Sequence, residues 1–135
     1  MKNKKMVIGL FVISLVLGTA SVLADSPYQV FTNIKIPALK NAYTSSARTK
    51  TEQGNQSVKN IGSTYAVVVS TIDSNNRESG WLPLSSDAGF TSWKDTEKNG
   101  NSENGIYNLR IKHSNNILSG KFTGTWVLNP SYAKN

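Results

Sequence analysis

The sequence predicts an all-β fold: one antiparallel β-sandwich of about seven short strands, following a cleaved signal peptide. Three observations carry that expectation. Residues 105–128 (GIYNLRIKHSNNILSGKFTGTWVL) alternate apolar and polar side chains along two arms. Residues 64–72 (TYAVVVSTI) are the most apolar run outside the leader. Turn-forming clusters of Asn, Asp, Ser and Gly recur at spacings of about ten residues, as in sandwiches and barrels.

The chain begins with Lys2, Lys4 and Lys5, continues with an apolar run over residues 6–17, and ends that segment in small residues. Val22 and Ala24 suit the −3 and −1 positions of a signal-peptidase site, so residues 1–24 read as a secretory signal and Asp25 as the first mature residue. The apolar run is short for a span of ~30 Å of hydrocarbon, so a permanent membrane anchor is not expected. The chain has no cysteine, which excludes a lipid-anchored lipoprotein and any disulfide. The expected location is therefore extracellular or at the cell surface.

Residues 25–135 then form the mature domain, 111 residues long, enough for one core and too few for two. Loss of three lysines lowers the formal charge from +7 to +4, with 12 Lys and Arg against 8 Asp and Glu. The remaining cations are scattered along the chain. Nucleic-acid binding needs a concentrated basic patch with reading or stacking groups beside it, and none is visible. A mildly cationic exported protein is still attracted to anionic envelopes. The Lys-, Asn- and Ser-rich composition without cysteine suits an exported protein of a low-GC Gram-positive bacterium.

In chain order, the first strand covers residues 28–36, with Tyr28, Val30, Ile34 and Ile36 expected on one face and Pro37 ending it. Residues 42–50 (AYTSSARTK) read as an exposed or edge strand whose Arg48 and Lys50 discourage edge-to-edge pairing. Residues 57–61 form a short strand carrying Val58 and Ile61, and residues 64–72 a central one. Asp73-Ser74-Asn75-Asn76 turns the chain into a second arm, residues 77–84, bearing Trp81, Leu82 and Leu84. Residues 85–104 are ambiguous: Phe90 and Trp93 share a face on a helix that Thr91 could cap and Gly100 could end. The absence of a repeated helical stripe favours strand or irregular structure. In residues 105–128, Tyr107, Leu109 and Ile111 face one way, Ser114-Asn115-Asn116 reverses the chain, and Phe122, Gly124, Trp126 and Leu128 share a face. The simplest arrangement of the two arms is an antiparallel hairpin. Residues after Pro130 read as a frayed tail.

Catalytic chemistry finds little support. His113 is the only histidine, so a His/Cys metal site is excluded in familiar form and Ser-His-Asp catalysis would hang on it alone. No G-x-S-x-G turn marks a nucleophile and no G-x-G-x-x-G or Walker pattern marks a phosphate cradle. A partly exposed strand-end histidine is the expected role of His113. Asp73, Glu78, Asp87, Asp95, Glu97 and Glu103 allow carboxylate pairs of the glycosidase kind by chance alone. Asp73, Asn75 and Glu78 resemble half of a calcium loop, but lack its glycine and length, so a hairpin turn is the expected role.

The aromatic residues are weighed between core and platform. Trp126 lies on the Phe122/Leu128 face and belongs to the core, as aromatics in small β domains mostly do. Trp81, beside Gly80, and Trp93, in a polar stretch, are the candidates for an exposed ligand-binding ring.

Ser46-Ala47-Arg48-Thr49-Lys50, the alternating Tyr107, Leu109 and Ile111, and Gly124 with Trp126 carry a resemblance. Together with the leader, these residues make the chain similar to a group of small secreted Gram-positive proteins of unknown function. Some of these are encoded beside bacteriocin genes, including those of the lactococcin type. The resemblance covers most of residues 28–128 and implies no active site. It implies a bacteriocin-like or bacteriocin-associated effector or accessory.

The sequence thus leads to a secreted, non-enzymatic module acting at the cell envelope. Its expected partner is an envelope component or a carbohydrate, with no catalytic residue, cofactor, metal or nucleic acid. The alternative is a small secreted hydrolase or carbohydrate-binding module.

Overall fold

The computed structural model describes residues 27–86, 89–93 and 101–133. The signal segment 1–24, the expected first mature residue Asp25, the acids Asp87, Asp95 and Glu97, and Gly100 lie outside the described residues.

The fold is the expected all-β sandwich of two antiparallel sheets. Its strands are β1 (Tyr28–Ile36), β2 (Tyr43–Thr44), β3 (Arg48–Lys50), β4 (Ser57–Ser63), β5 (Val67–Asp73), β6 (Leu82–Leu84), β7 (Phe90–Ser92), β8 (Gly105–His113) and β9 (Gly120–Val127). One sheet has the order β1-β9-β4-β7; the other runs β2-β8-β5-β6, with β3 also paired to β8. Among the described residues there are nine strands rather than about seven, for two reasons. The 42–50 stretch breaks around Ser45, whose hydroxyl accepts the Leu109 N–H at 2.9 Å. Part of the ambiguous segment becomes β7, against β4.

The expected β8–β9 hairpin does not form. β8 lies between β2 and β5 in one sheet, β9 between β1 and β4 in the other, and residues 114–119 carry the chain across. Alternation specifies which side chains point inward but not which strand lies alongside. Here the inward rows face each other across the sandwich: Tyr107, Leu109 and Ile111 from β8, Phe122 and Trp126 from β9, all at most 3% exposed. Phe31, Ile36, Val58, Val67, Val69, Leu84, Trp93 and Leu128 complete the core.

Gly124 belongs to that inner row because nothing larger fits. A Cβ there would run into the Lys59 carbonyl oxygen and come within 2.5 Å of Phe122 Cζ. Trp126 keeps its polar edge satisfied inside the core, donating from Nε1 to Gln56 Oε1 at 2.8 Å. Gln56, itself fully buried, donates onward from Nε2 to the Asn101 carbonyl at 3.0 Å.

Two bulges reset the alternation. On β1 the register shifts between Phe31 and Ile34, so Thr32 and Asn33 together face Thr123. On β4 it shifts between Asn60 and Gly62, placing the extra residue Ile61 at the same level. An inserted residue flips the phase of everything beyond it. Phe31, Ile34 and Ile36 therefore turn inward, while Tyr28 and Val30, expected on the face of Ile34 and Ile36, are exposed, as is Ile61. Asn33, at φ 49°, closes its bulge by donating its N–H to Thr123 Oγ1 at 2.9 Å.

Two further expectations are corrected. Lys50 does not guard an exposed edge; it is 1% exposed and its ammonium donates to the Glu52 carbonyl. The segment from Pro130 to Ala133 is anchored. Ser131 donates its N–H and hydroxyl to the Glu52 carboxylate at 3.1 and 2.7 Å, and Asn129 Oδ1 accepts the Thr51 and Glu52 N–H groups.

Candidate functional site

The two candidate tryptophans separate. Trp93 is 1% exposed and donates from Nε1 to the Gly80 carbonyl at 2.8 Å. A ring enclosed in the core offers no face to a ligand, so Trp93 is a core residue. It still touches the surface question indirectly, because the carbonyl it holds belongs to the residue before Trp81.

Trp81 is 37% exposed and enters β6 on the outer side of the β2-β8-β5-β6 sheet. Two cations from β8 lie against its ring: Lys112 Nζ is 4.2 Å and Arg110 Cζ 5.1 Å from the centroid. These spacings are set by strand periodicity. Arg110 and Lys112 are two residues apart and so share the outer face, opposite the buried Leu109 and Ile111. Arg110 is further oriented by the Glu78 carboxylate, with which it forms an ion pair, and by Ser70 Oγ at 3.4 Å. The result is an aromatic surface with two flanking positive charges, each attracted by the ring's electron-rich face. Arg110 and Lys112 carried no special mark in the sequence; their alternation with Leu109 and Ile111 predicted only that they face outward.

His113 is fully buried rather than partly exposed. Its ring meets Tyr65 edge-on at 5.2 Å, and Nδ1 bonds the Leu118 carbonyl at 2.9 Å. A carbonyl only accepts, so Nδ1 carries the hydrogen. Nε2 has no hydrogen-bond partner among the described residues. The histidine thus acts as a pin between β8 and the loop that follows it.

Three of the described carboxylates, on Asp73, Glu78 and Glu52, are tied into the structure. Asp73 Oδ1 accepts the N–H groups of Asn75 and Arg77 at 2.9 and 2.8 Å, and Oδ2 takes Arg77 Nε at 2.8 Å. Burial pushes the Asp73 pKa up, but the bonds from Arg77 and Asn75 outweigh it and hold the carboxyl below its usual range. Asp73, Asn75 and Glu78 are therefore a hairpin turn, with Glu78 turned away to Arg110. Among the described residues no three His, Cys, Asp or Glu side chains gather as a metal cage. Glu52 is held low chiefly by the Ser131 hydroxyl and N–H. Burial lowers Lys50 to about 8 against the opposing pull of Glu52, and burial raises Tyr107 to about 12.

A concavity lies on the other sheet. The two bulges opposite Thr123 open a groove of about 330 Å³ lined by Asn33, Gly62, Ser63, Thr64, Lys121 and Thr123. Its lining side chains carry three hydroxyls, one amide and one ammonium. Among the described residues, no helix is long and apolar enough to cross a membrane. No family model, curated protein or solved structure matches this chain.

Proposed function

We propose that this chain is a secreted, non-enzymatic β-sandwich module that binds a component of the bacterial envelope, as a bacteriocin-like or bacteriocin-associated effector or accessory. The observation that supports this reading is the Trp81 surface. It combines an exposed indole with Arg110 and Lys112, a pairing suited to an anionic, sugar-bearing polymer: the ring stacks on apolar sugar faces and the cations meet the charge. The single histidine serves the fold, with its Nδ1 spent on a backbone carbonyl.

The experiment is co-sedimentation of the exported chain with isolated Gram-positive envelopes, comparing wild type with Trp81→Ala and with Arg110→Gln/Lys112→Gln. Both variants should retain the fold and bind at least about fivefold more weakly, since a stacked ring or exposed cation pair contributes about 1 kcal/mol or more. Binding should also weaken with added salt. Equal binding by all three would refute the assignment of this face. Release of soluble fragments from the envelopes, scaling with protein concentration, would replace it with the hydrolase reading.

A further inference from the structure

At the end of the sandwich where β1 stops and β9 begins, the connecting loops present aliphatic side chains to water. Leu39 is 70% exposed, Ile117 59% and Leu118 57%. They form one tip, because the Leu39 N–H donates to the Ile117 carbonyl at 2.7 Å. The tip is held in shape from within. Leu118 N–H donates to Asn116 Oδ1 at 2.9 Å, and the Leu118 carbonyl accepts from the buried His113.

The turn bearing Leu39 is closed by Asn41 N–H on the Ala38 carbonyl at 3.2 Å, with Leu39 at φ 63° and Lys40 at φ 58°. Glycine or asparagine is the usual occupant of that left-handed region; a branched aliphatic there is disfavoured. The fold therefore tolerates backbone strain at a position where it also exposes a large apolar group. Such outliers concentrate where a surface has a task other than stability.

Charge identifies what the tip faces. Lys35, Lys40 and Lys121 are exposed around it, and Lys35 and Lys121 lie directly opposite each other across β1 and β9, a pairing unfavourable for the sheet alone. No described residue of β1, β4, β7, β9 or the loops 37–42, 64–66 and 114–119 is acidic. The four described acids are engaged elsewhere: Glu52 with Ser131, Asp73 and Glu103 with Arg77, Glu78 with Arg110. A second copy would set lysines against lysines, and a soluble polyanion would leave the aliphatics in water. A surface with anionic groups overlying hydrocarbon satisfies both.

We propose that this tip docks on an anionic phospholipid bilayer, Leu39, Ile117 and Leu118 entering the interfacial layer while Lys35, Lys40 and Lys121 meet headgroup phosphates. The site is separate from Trp81, which lies on the outer face of the other sheet, and does not depend on it. The absence of native cysteine allows a single environment-sensitive fluorophore at Leu118→Cys, with Gln53→Cys at the far end as the control. With phosphatidylglycerol vesicles the Leu118 label should shift to the blue and the Gln53 label should not. Phosphatidylcholine vesicles should bind on the order of a hundredfold more weakly, at about one factor of five per lysine. Leu39→Asn, which suits the left-handed turn, should keep or raise Tm while weakening partition about tenfold. The proposal is overturned by any of four results: no shift at Leu118, an equal shift in soluble polyphosphate, a shift that grows with protein concentration without lipid, or unchanged partition in Leu39→Asn. Trp81→Ala should leave vesicle binding intact, so the two surfaces are tested apart.

Discussion

Truncating Trp126 to alanine tests the centre of the sandwich. The ring has no exposed surface, and its removal from a packed core costs about 3–5 kcal/mol through lost burial and a residual cavity. The indole also satisfies Gln56 Oε1, which is buried to the same degree. Orphaning that acceptor adds about 1–3 kcal/mol unless water enters the cavity. A domain of this size is stable by about 5–15 kcal/mol, so Trp126→Ala should be marginal or unfolded at room temperature. Trp126→Phe weights the test towards the polar part: it keeps most of the ring's volume while removing the donor. Urea denaturation followed by circular dichroism should place it about 2–3 kcal/mol below wild type, the donor loss and the smaller ring together. Combining it with Gln56→Leu removes the orphaned Oε1 but strips the Asn101 carbonyl of the Gln56 donor, so the double variant should differ from the sum of the two single losses. Strict additivity of the two, within about 0.5 kcal/mol, would show that the Trp126–Gln56 bond is not a coupled unit. A loss below ~0.5 kcal/mol for Trp126→Ala, the usual surface range, would refute the inward placement of this face.

Three other outcomes are expected. Gly124→Ala should destabilise by about 1–3 kcal/mol in the same urea assay, since its Cβ would meet the Lys59 carbonyl and the Phe122 ring; a neutral effect would mean the strands part easily at that level. For Lys50, the folded pKa of about 8 lies below the unfolded 10.5, so between these values the unfolded chain holds the extra proton and this group's contribution to stability rises with pH. For Tyr107, raised from 10.0 to about 12, the unfolded chain loses its proton first and stability falls above pH 10. The urea midpoint should therefore climb from pH 8 towards 10 and then turn over, and Lys50→Met should flatten the climb; an unchanged slope in Lys50→Met would assign it to other groups. Mass spectrometry of culture medium should find a chain starting at Asp25 or within a residue or two, and detection of only the full-length chain in membranes would overturn export.

Alternation along residues 105–128 and the continuous apolar run of residues 64–72 sufficed for the fold class, because period-two patterning is satisfied by a strand with one buried face and a short apolar run between turns by a central one. The same pattern placed Leu109, Ile111, Phe122 and Trp126 inward, and the turn residues from Asp73 to Asn76 announced the β5–β6 hairpin, now seen with Asn76 at φ 62°. These are local properties, written in neighbouring side chains and in the backbone freedom of Asn and Asp.

Tertiary structure decided what depends on partners remote in the chain. Whether β8 and β9 pair or face each other across the core is invisible to alternation, which is identical in both cases. The bulges opposite Thr123 move Phe31 inward and Val30 outward, and no residue type announces them, since they arise where two registers must be reconciled across β9. Trp81 and Trp93 look alike in sequence; the carbonyl of Gly80 and the charges of Arg110 and Lys112 make one a core ring and the other a surface. His113 and Lys50 are polar residues buried because a single backbone carbonyl, from Leu118 or Glu52, waits for each. Burial of a polar group follows the position of its hydrogen-bond partner, and that position exists only once the chain has folded.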